Sequence, residues 1–141
     1  MFLLKTALVI IALSKGGIHL NTNIKFIANT SLSEEPGLYL LSDKVNDYHY
    51  LGVASNLRAR IANHRSKLIQ RKHPNDTLQS IFLTSTIDVQ ILTVVPNATK
   101  QQLKEIEMLF VEAAPVLFKN GLINKYKKVT SPERFWLENA N

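Results

Sequence analysis

The residues with the clearest chemical potential lie between Asp47 and Asp76, an interval that contains several cations and no acidic residue. The cations are Arg58, Arg60, Arg65, Lys67, Arg71 and Lys72. At about 100° per residue, Arg60, Lys67 and Arg71 form one stripe of a helix. Solvated helices usually carry both signs of charge. The stripe therefore favours contact with nucleic-acid phosphates, whose strength falls with salt, and a merely solvated basic face is the alternative.

His64 lies at the border of this basic stripe. Its neighbours on the other side, Leu57, Ile61 and Leu68, form an apolar stripe that predicts the buried face of the same helix. A single histidine in such a position is usually a hydrogen-bonded residue at the edge of the core. Because Arg60 is one turn away, a role in catalysis is the second interpretation.

Glu107 interrupts the apolar face of a later predicted helix. That face consists of Leu103, Ile106, Phe110 and Ala114. Glu105 and Glu112 point the opposite way, as exposed acids should. A buried carboxylate without a partner costs several kcal/mol, so Glu107 must be protonated, paired with a cation or bound to a metal. An ion pair with an arginine and a site for a hard cation such as Mg²⁺ both satisfy this requirement.

The composition narrows the classes of protein that this chain can represent. With 141 residues, of which 45% are hydrophobic, the chain has the size of one folded domain. Seventeen Lys and Arg against 11 Asp and Glu give a net charge of +6, which favours an anionic partner such as nucleic acid or an acidic membrane. The absence of cysteine excludes thiol nucleophiles and thiolate metal sites. The spacing of the five glycines fits neither a Walker A loop nor a Gly-x-Gly-x-x-Gly turn, the glycine-rich motifs that bind nucleotide phosphates. We therefore expect no nucleotide cofactor.

The spacing of the apolar residues, alternating in some segments and helical in others, predicts the strands and helices that position these residues. Two strands form a hairpin, a basic helix follows, and a short helix and a third strand precede the helix that carries Glu107. Their predicted bounds are Gly37–Ser42, Tyr48–Val53, Asn56–Lys72, Thr77–Thr84, Ile87–Val95 and Thr99–Ala114. Thr99 and Gln102 form a capping box, and Pro115 should end the helix.

The regions that flank these elements contain none of the candidate site residues. Residues 1–34 form a predicted N-terminal extension, an apolar helix up to Leu13 and then an irregular segment, and residues 127–141 form a tail with a short helix near Ser131. Residues 35–126 form the domain between them. A secretory signal is the alternative interpretation of the N-terminus, but the apolar run is short and no small-residue cleavage site follows it. We therefore expect a cytoplasmic protein that does not bind a membrane.

Two tripeptides in the predicted hairpin resemble a known motif. They are Gly37-Leu38-Tyr39 and Tyr50-Leu51-Gly52, with their tyrosines eleven positions apart. Further along the chain come Arg60, His64, His73, Leu78-Gln79, Glu107 and Asn124. Either tripeptide alone is weak, but the ordered set resembles the GIY-YIG nuclease module over about residues 36–125. The stretch from His73 to Gln79 is most similar to its phage and homing-endonuclease branch.

The resemblance implies an α+β fold in which a small three-stranded antiparallel sheet is flanked by helices. It also implies cleavage of phosphodiester bonds in DNA with a divalent cation, Mg²⁺ or alternatively Mn²⁺. The implied catalytic residues are Tyr39, Tyr50, Arg60, His64, Glu107 and Asn124, with Glu107 as the metal ligand. The residues expected to bind nucleic acid are Arg58, Arg65, Lys67, Arg71, Lys72 and His73.

The chemistry of phosphodiester hydrolysis gives these residue types separate roles. Arg60 would offer forked donors to a phosphate oxygen, which a lysine cannot reproduce. Tyr39 would be a general base or position the water, with Tyr50 and His64 as its hydrogen-bonding partners. A free phenol has a pKa near 10, so a nearby cation must lower the pKa of Tyr39 or a histidine must relay its proton.

The function predicted from the sequence is therefore a metal-dependent DNA endonuclease. The alternative is a non-catalytic nucleic-acid-binding protein on a nuclease scaffold, and a basic protein that is secreted or bound to a membrane is the third interpretation. Leucine stands where isoleucine or valine is more usual in both tripeptides, and this exchange removes no functional group. No separate DNA-binding domain of the kind that homing members carry is recognisable. The sequence leaves the oligomeric state open.

Overall fold

The computed structural model describes residues 22–125, which form a mixed α+β structure. In chain order its elements are β1 (Thr22–Asn23), a 3₁₀ turn (Asn29–Ser31), β2 (Gly37–Asp43), β3 (Tyr48–Ala54), α1 (Leu57–Ile69), α2 (Asp76–Thr84), β4 (Asp88–Val94) and α3 (Lys100–Leu117). The predicted helices before Leu13 and near Ser131 lie outside the described residues. Within residues 22–125, none of the helices combines the length and apolar character that crossing a membrane requires.

The sheet is antiparallel and has four strands, in the order β1-β4-β2-β3. The prediction of three strands was therefore wrong. The additional strand is β1, in which Thr22 and Asn23 pair with Val89 and Asp88. Two residues are too few to show an alternating pattern, and their pairing depends on a strand more than 60 positions later in the chain. The hairpin of β2 and β3 was predicted correctly, and β3 forms one edge of the sheet.

Helices cover both faces of the sheet, which explains why every residue of β2 is buried. On one face, α1 and α2 pack against the sheet in a cluster that includes Tyr39 and Leu41. On the other face, α3 packs against Leu38 and Leu40 through Phe110 and neighbouring residues. Successive side chains of a strand point to opposite faces, so β2 contributes to both clusters. Tyr39 consequently lies on the face covered by the basic helix α1.

Helix α1 buries the apolar face that its period predicted. Leu57, Ile61, His64 and Leu68 are its buried residues. The helix begins at its N-cap Asn56, whose side chain accepts a hydrogen bond from the backbone N–H of Ala59 at 3.0 Å. The cap and the buried face together fix the direction in which the polar side chains of α1 point.

Helix α3 begins with the predicted capping box of Thr99 and Gln102 but ends later than expected. It continues to Leu117, with Pro115 inside its last turn, so the prediction that Pro115 ends the helix was wrong. A proline inside a helix costs roughly 3 kcal/mol, because one hydrogen bond is lost and the ring crowds the preceding turn. Leu117 and Phe118 pack against the core cluster beneath α3, and Phe118 N–H donates to the carbonyl of Ala114 at 2.8 Å. These contacts favour the final turn despite the proline.

Two arginines of α1 fasten the segment that precedes β2. Arg58 donates to the carbonyl oxygen of Leu32 at 2.9 Å and forms an ion pair with Glu34 at 2.7 Å. Arg65 donates to the carbonyl oxygen of Ile27 at 2.7 Å. The segment therefore packs against α1 as an ordered layer.

Candidate active site

Tyr39 enters the site from the central strand of the sheet. Its side chain is 1% exposed, and its strand neighbour across the hairpin is Gly52. A Cβ atom at position 52 would overlap the ring and hydroxyl of Tyr39, so the glycine allows the phenol to lie across β3. The pairing of β2 with β4 shifts register between Leu38 and Tyr39, and such irregularities redirect side chains next to active sites.

A chain of buried hydrogen bonds leads from Tyr39 into the space between α1 and α2. The hydroxyl of Tyr39 lies 2.6 Å from Nε2 of His64, and Nδ1 of His64 lies 2.8 Å from Nε2 of His73. The two imidazoles are stacked, with ring centroids 5.1 Å apart. Tyr50 meets both imidazoles edge-on, with centroid distances of 5.3 Å and 6.1 Å. Two phenols and two imidazoles thus form one aromatic cluster.

Arg60 connects this cluster with solvent. Its side chain is exposed, and its positive charge acts on the Tyr39 hydroxyl. It also lines an open cavity of about 210 Å³ at the start of α1. The lining residues are Ala54, Ser55, Asn56, Ala59, Arg60 and Asn63. A guanidinium in this position can bind an anion in the cavity and also act electrostatically on the buried phenol.

Burial dominates the protonation equilibria of the cluster. It raises the pKa of Tyr39 well above that of a free phenol, and the positive charge of Arg60 opposes this shift. The pKa of Tyr50 is also raised by burial. Burial, followed by the neighbouring His73 and the cations Arg60 and Lys67, lowers the pKa of His64 to about 3. His64 is therefore a neutral imidazole at physiological pH.

Glu107 acts on the same cluster from α3. Its negative charge raises the pKa of Tyr39 and of Tyr50, which places the carboxylate within electrostatic reach of both phenols. Its position on an apolar face suggested a side chain enclosed in the core. In the structure the side chain of Glu107 is half-buried. Among residues 22–125, no group of three or more acidic or histidine side chains has a geometry suited to hold a metal.

Asn124 stabilises the strand that carries Tyr50. Its Oδ1 accepts from the N–H of Leu51 at 2.8 Å, and its Nδ2 donates to the carbonyl of Leu51 at 2.8 Å. The adjacent Ile123 donates to the carbonyl of His49 at 2.8 Å. Residues 123 and 124 therefore satisfy main-chain groups along the edge strand, and Asn124 supports the YLG tripeptide from the side.

Two residues to which the sequence analysis gave no chemical role hold His73 in place. Gln79 accepts from the backbone N–H of His73 at 3.1 Å and donates to the carbonyl of Leu68 at 3.0 Å. Asn75 caps α2 by accepting from the N–H of Leu78 at 3.0 Å. The Asn75-Asp76 sequence before an apolar run is a helix-start signal that could have identified this cap.

The predicted nucleic-acid-binding residues occupy three different environments. Arg58 and Arg65 are half-buried and donate to the segment before β2. Lys67, Arg71 and Lys72 are exposed along α1 and just after it. His73 is 6% exposed, and its ring belongs to the aromatic cluster.

Comparison with protein families gives a match to the GIY-YIG catalytic domain over residues 35–112. The matched region covers more than half of the chain. The protein belongs to the GIY-YIG family. The family consists of endonucleases that act on DNA, so a nuclease-type function follows for this chain. Comparisons with curated proteins and with solved structures gave no match.

The GIY-YIG match contains most of the site described above. It begins just before β2 and ends inside α3, so it includes both motif tyrosines, Arg60, both clustered histidines and Glu107. Strand β1 and Asn124 lie outside it. The match does not assign the chain to the phage or homing-endonuclease branch, which stays a prediction.

Proposed function

We propose that this GIY-YIG protein is a metal-dependent endonuclease that hydrolyses phosphodiester bonds in DNA at the Tyr39 cluster. The observation that supports this most strongly is the position of Arg60, whose positive charge acts on the buried Tyr39 hydroxyl and whose side chain also lines an open cavity. A phosphate in that cavity would lie beside a cation and close to a group able to act on the attacking water.

Arg60 would bind a non-bridging oxygen of the scissile phosphate. Its planar fork can donate two hydrogen bonds to a phosphate, and these become stronger as negative charge develops on the oxygens. The exposed cations Lys67, Arg71 and Lys72 continue along the same helix and its end. They would contact flanking phosphates and orient the strand, without reading its sequence.

Tyr39 would position or deprotonate the water. Burial makes its hydroxyl a weak acid, but the positive charge of Arg60 favours the phenolate. Tyr50 packs beside His64 and limits the water that can reach the cluster. The cleavage rate should therefore increase with pH, since a phenol with a raised pKa loses its proton only at alkaline pH.

The donor set at Glu107 fits a cation such as Mg²⁺. Mg²⁺ is commonly held by one or two carboxylates and keeps several waters, so a site with a single glutamate is sufficient. The raised pKa values of Tyr39 and Tyr50 reflect in part the negative charge of Glu107, which a cation would compensate. When bound, the metal would stabilise charge on the phosphate and on the departing oxygen.

A supercoiled-plasmid assay tests this function. We expect the purified protein to nick or linearise plasmid in the presence of Mg²⁺ or Mn²⁺ and to be inactive with a chelator. The substitution Glu107→Gln keeps the shape of the side chain and removes its charge, so cleavage should fall by about 100-fold or more while DNA binding is retained.

Glu105→Gln is the matched control, because Glu105 lies on the same helix and is exposed. It should cut DNA at the wild-type rate. A protein that binds DNA but cleaves none with any divalent cation would instead be a non-catalytic binding protein. Loss of activity in Glu105→Gln alone would contradict the assignment of Glu107.

A further inference from the structure

A single backbone N–H determines which atoms donate and which accept in the hydrogen bonds between Tyr39, His64 and His73. The N–H of Asn75 donates to Nδ1 of His73 at 3.0 Å. A backbone N–H can only donate, so this nitrogen of His73 is an acceptor and carries no proton. A neutral imidazole has one N–H, and in His73 that proton must be on Nε2.

The direction continues through the second imidazole. Nε2 of His73 lies 2.8 Å from Nδ1 of His64, so His73 donates and His64 accepts. The proton of neutral His64 is consequently on its other nitrogen, Nε2, which lies 2.6 Å from the Tyr39 hydroxyl. The opposite direction would place two N–H groups against each other, either between the imidazoles or at Asn75.

His73 is held so that its ring cannot easily turn around. Gln79 accepts from its backbone N–H at 3.1 Å and is itself anchored to the carbonyl of Leu68 at 3.0 Å. Asn75 is fixed by its capping bond to α2 and by a bond from its Nδ2 to the carbonyl of Ile123 at 3.2 Å. The ring is also buried against His64. Both helices therefore determine which nitrogen of His73 faces its neighbour.

We propose that His73 is a positioning residue, which fixes His64 in the Nε2–H tautomer so that His64 donates a hydrogen bond to the oxygen of Tyr39. Tyr39 then accepts from His64, and the positive charge of Arg60 acts on the same hydroxyl. Donors to a phenolic oxygen stabilise its ionised form. In this tautomer His64 has no lone pair directed at Tyr39, so it supports the phenolate and does not remove the phenolic proton. This inference rests on the proposed nuclease function for its effect on rate.

The tautomer can be measured directly by ¹⁵N NMR on the histidine rings of the full-length protein. For wild type at neutral pH we expect His64 to be protonated on Nε2 and unprotonated on Nδ1. His73→Gln keeps an N–H donor near the position of the His73 Nε2 atom, whereas His73→Glu has a similar shape and offers an acceptor there. We expect His73→Gln to keep the wild-type tautomer of His64 and His73→Glu to convert it to Nδ1–H.

Single-turnover cleavage gives the second readout. The wrong tautomer of an active-site histidine is costly, so His73→Glu should lower the rate constant by about 100-fold with little change in DNA affinity, and His73→Gln should restore it to within about threefold of wild type. Ile81→Val, a change in the core beneath α2, is the control for a purely structural effect and should alter neither the tautomer nor the rate.

The outcomes separate this inference from the proposed function. Wild-type His64 protonated on Nδ1 would overturn the inference, and so would a His73→Glu protein that keeps the wild-type tautomer and rate. If a variant fails to fold, the wild-type spectrum alone decides the direction of the hydrogen bonds. A wild-type protein that cleaves no DNA would overturn the proposed function, while the spectrum would still report whether His73 fixes His64.

Discussion

The phenolic oxygen of Tyr39 owes its properties to its immediate neighbours. Burial raises the pKa of the hydroxyl, while the positive charge of Arg60 opposes that effect. His64 approaches from another side at 2.6 Å. A buried group held by a hydrogen bond has one orientation and little freedom to reorganise, which is the arrangement that electrostatic catalysis requires.

Gly52 offers a test of how closely Tyr39 must be positioned. In Gly52→Ala the new methyl group would overlap the Tyr39 ring and hydroxyl, so the phenol must move away from His64. Displacement of a catalytic group by about 1 Å can reduce the rate by about 100-fold, and we expect a loss of this size in single-turnover cleavage. DNA affinity should change little, because Gly52 is buried.

Gly121→Ala is the control for Gly52→Ala. Among residues 22–125, no atom lies within 4 Å of a Cβ built at Gly121, but its φ of +64° disfavours alanine. It should cost roughly 1–2 kcal/mol of stability and leave the cleavage rate unchanged. Equal activity of Gly52→Ala and wild type would mean that the position of the Tyr39 hydroxyl does not matter.

Among individual residues, the sequence indicated candidate site residues but not the contacts between them. The buried stripe of α1 and the position of His64 within it followed from the helical period. The contact of His64 with His73 did not, because it depends on the turn after α1 and on the hydrogen bonds of Gln79 and Asn75. The side chain of Glu107 is less buried than predicted, because helical spacing indicates the direction of a side chain but not its depth of burial.

Among the elements, the hairpin of β2 and β3 carries both motif tyrosines and is fastened at its turn. Asp47 accepts from Nε2 of His49 at 2.7 Å and from the N–H of Asn120 at 3.2 Å. His49 is also linked to Ser42 at 2.8 Å and stacks on Phe118. The turn is thus connected to the end of α3, which limits how far the hairpin can move relative to that helix.

Asp47 makes the stability of this turn dependent on pH. The hydrogen bond from His49 is the main reason that the pKa of Asp47 is lowered from 3.8. A lowered pKa means that the stabilisation is present above the unfolded-state pKa and is lost as the pH falls through the folded-state value. Asp47→Asn removes this charge and tolerates the positive φ of 57° at this position.

Urea unfolding between about pH 7 and pH 2 measures the effect. The free energy of unfolding of wild type should exceed that of Asp47→Asn at neutral pH, and the difference should shrink on the acidic side of pH 4. A difference that stays constant over this range would exclude Asp47 as its source.

The elements themselves were largely predictable, and the exceptions have physical reasons. The hairpin, the basic helix, the third predicted strand and the capping box of α3 followed from local periods and caps. Strand β1 is too short for such a signal and forms only through its partner β4. The continuation of α3 past Pro115 depends on packing of Leu117 and Phe118, which local propensity does not describe.

For the whole molecule, the cations that produce the net charge of +6 lie in different environments. Arg65 donates to the carbonyl oxygen of the buried Ile27, whereas Lys67 is exposed two positions later. The net charge alone could not separate these groups, since they are neighbours in the sequence. The prediction that Arg65 binds DNA can be tested against a role in holding the N-terminal segment.

The comparison of Arg65→Gln with Lys67→Gln separates binding from stability. Each lost phosphate contact reduces the slope of log affinity against log salt by about 1, so we expect this change in Lys67→Gln with stability unaffected. Arg65→Gln should instead lower the free energy of unfolding by roughly 1–3 kcal/mol and leave the slope unchanged. Fluorescence anisotropy over a salt series and urea unfolding measure the two quantities. A reduced slope for Arg65→Gln with unchanged stability would assign this arginine to DNA.

The most direct test of the active site is removal of the Tyr39 hydroxyl. Tyr39→Phe keeps the buried ring and deletes only the oxygen that His64 contacts and on which the charge of Arg60 acts. Tyr48→Phe makes the same change on β3 at a residue that is 39% exposed. In single-turnover cleavage with Mg²⁺, we predict a loss of about 100-fold or more for Tyr39→Phe, with unchanged DNA binding, and no loss for Tyr48→Phe. Cleavage by Tyr39→Phe at the wild-type rate would contradict the account.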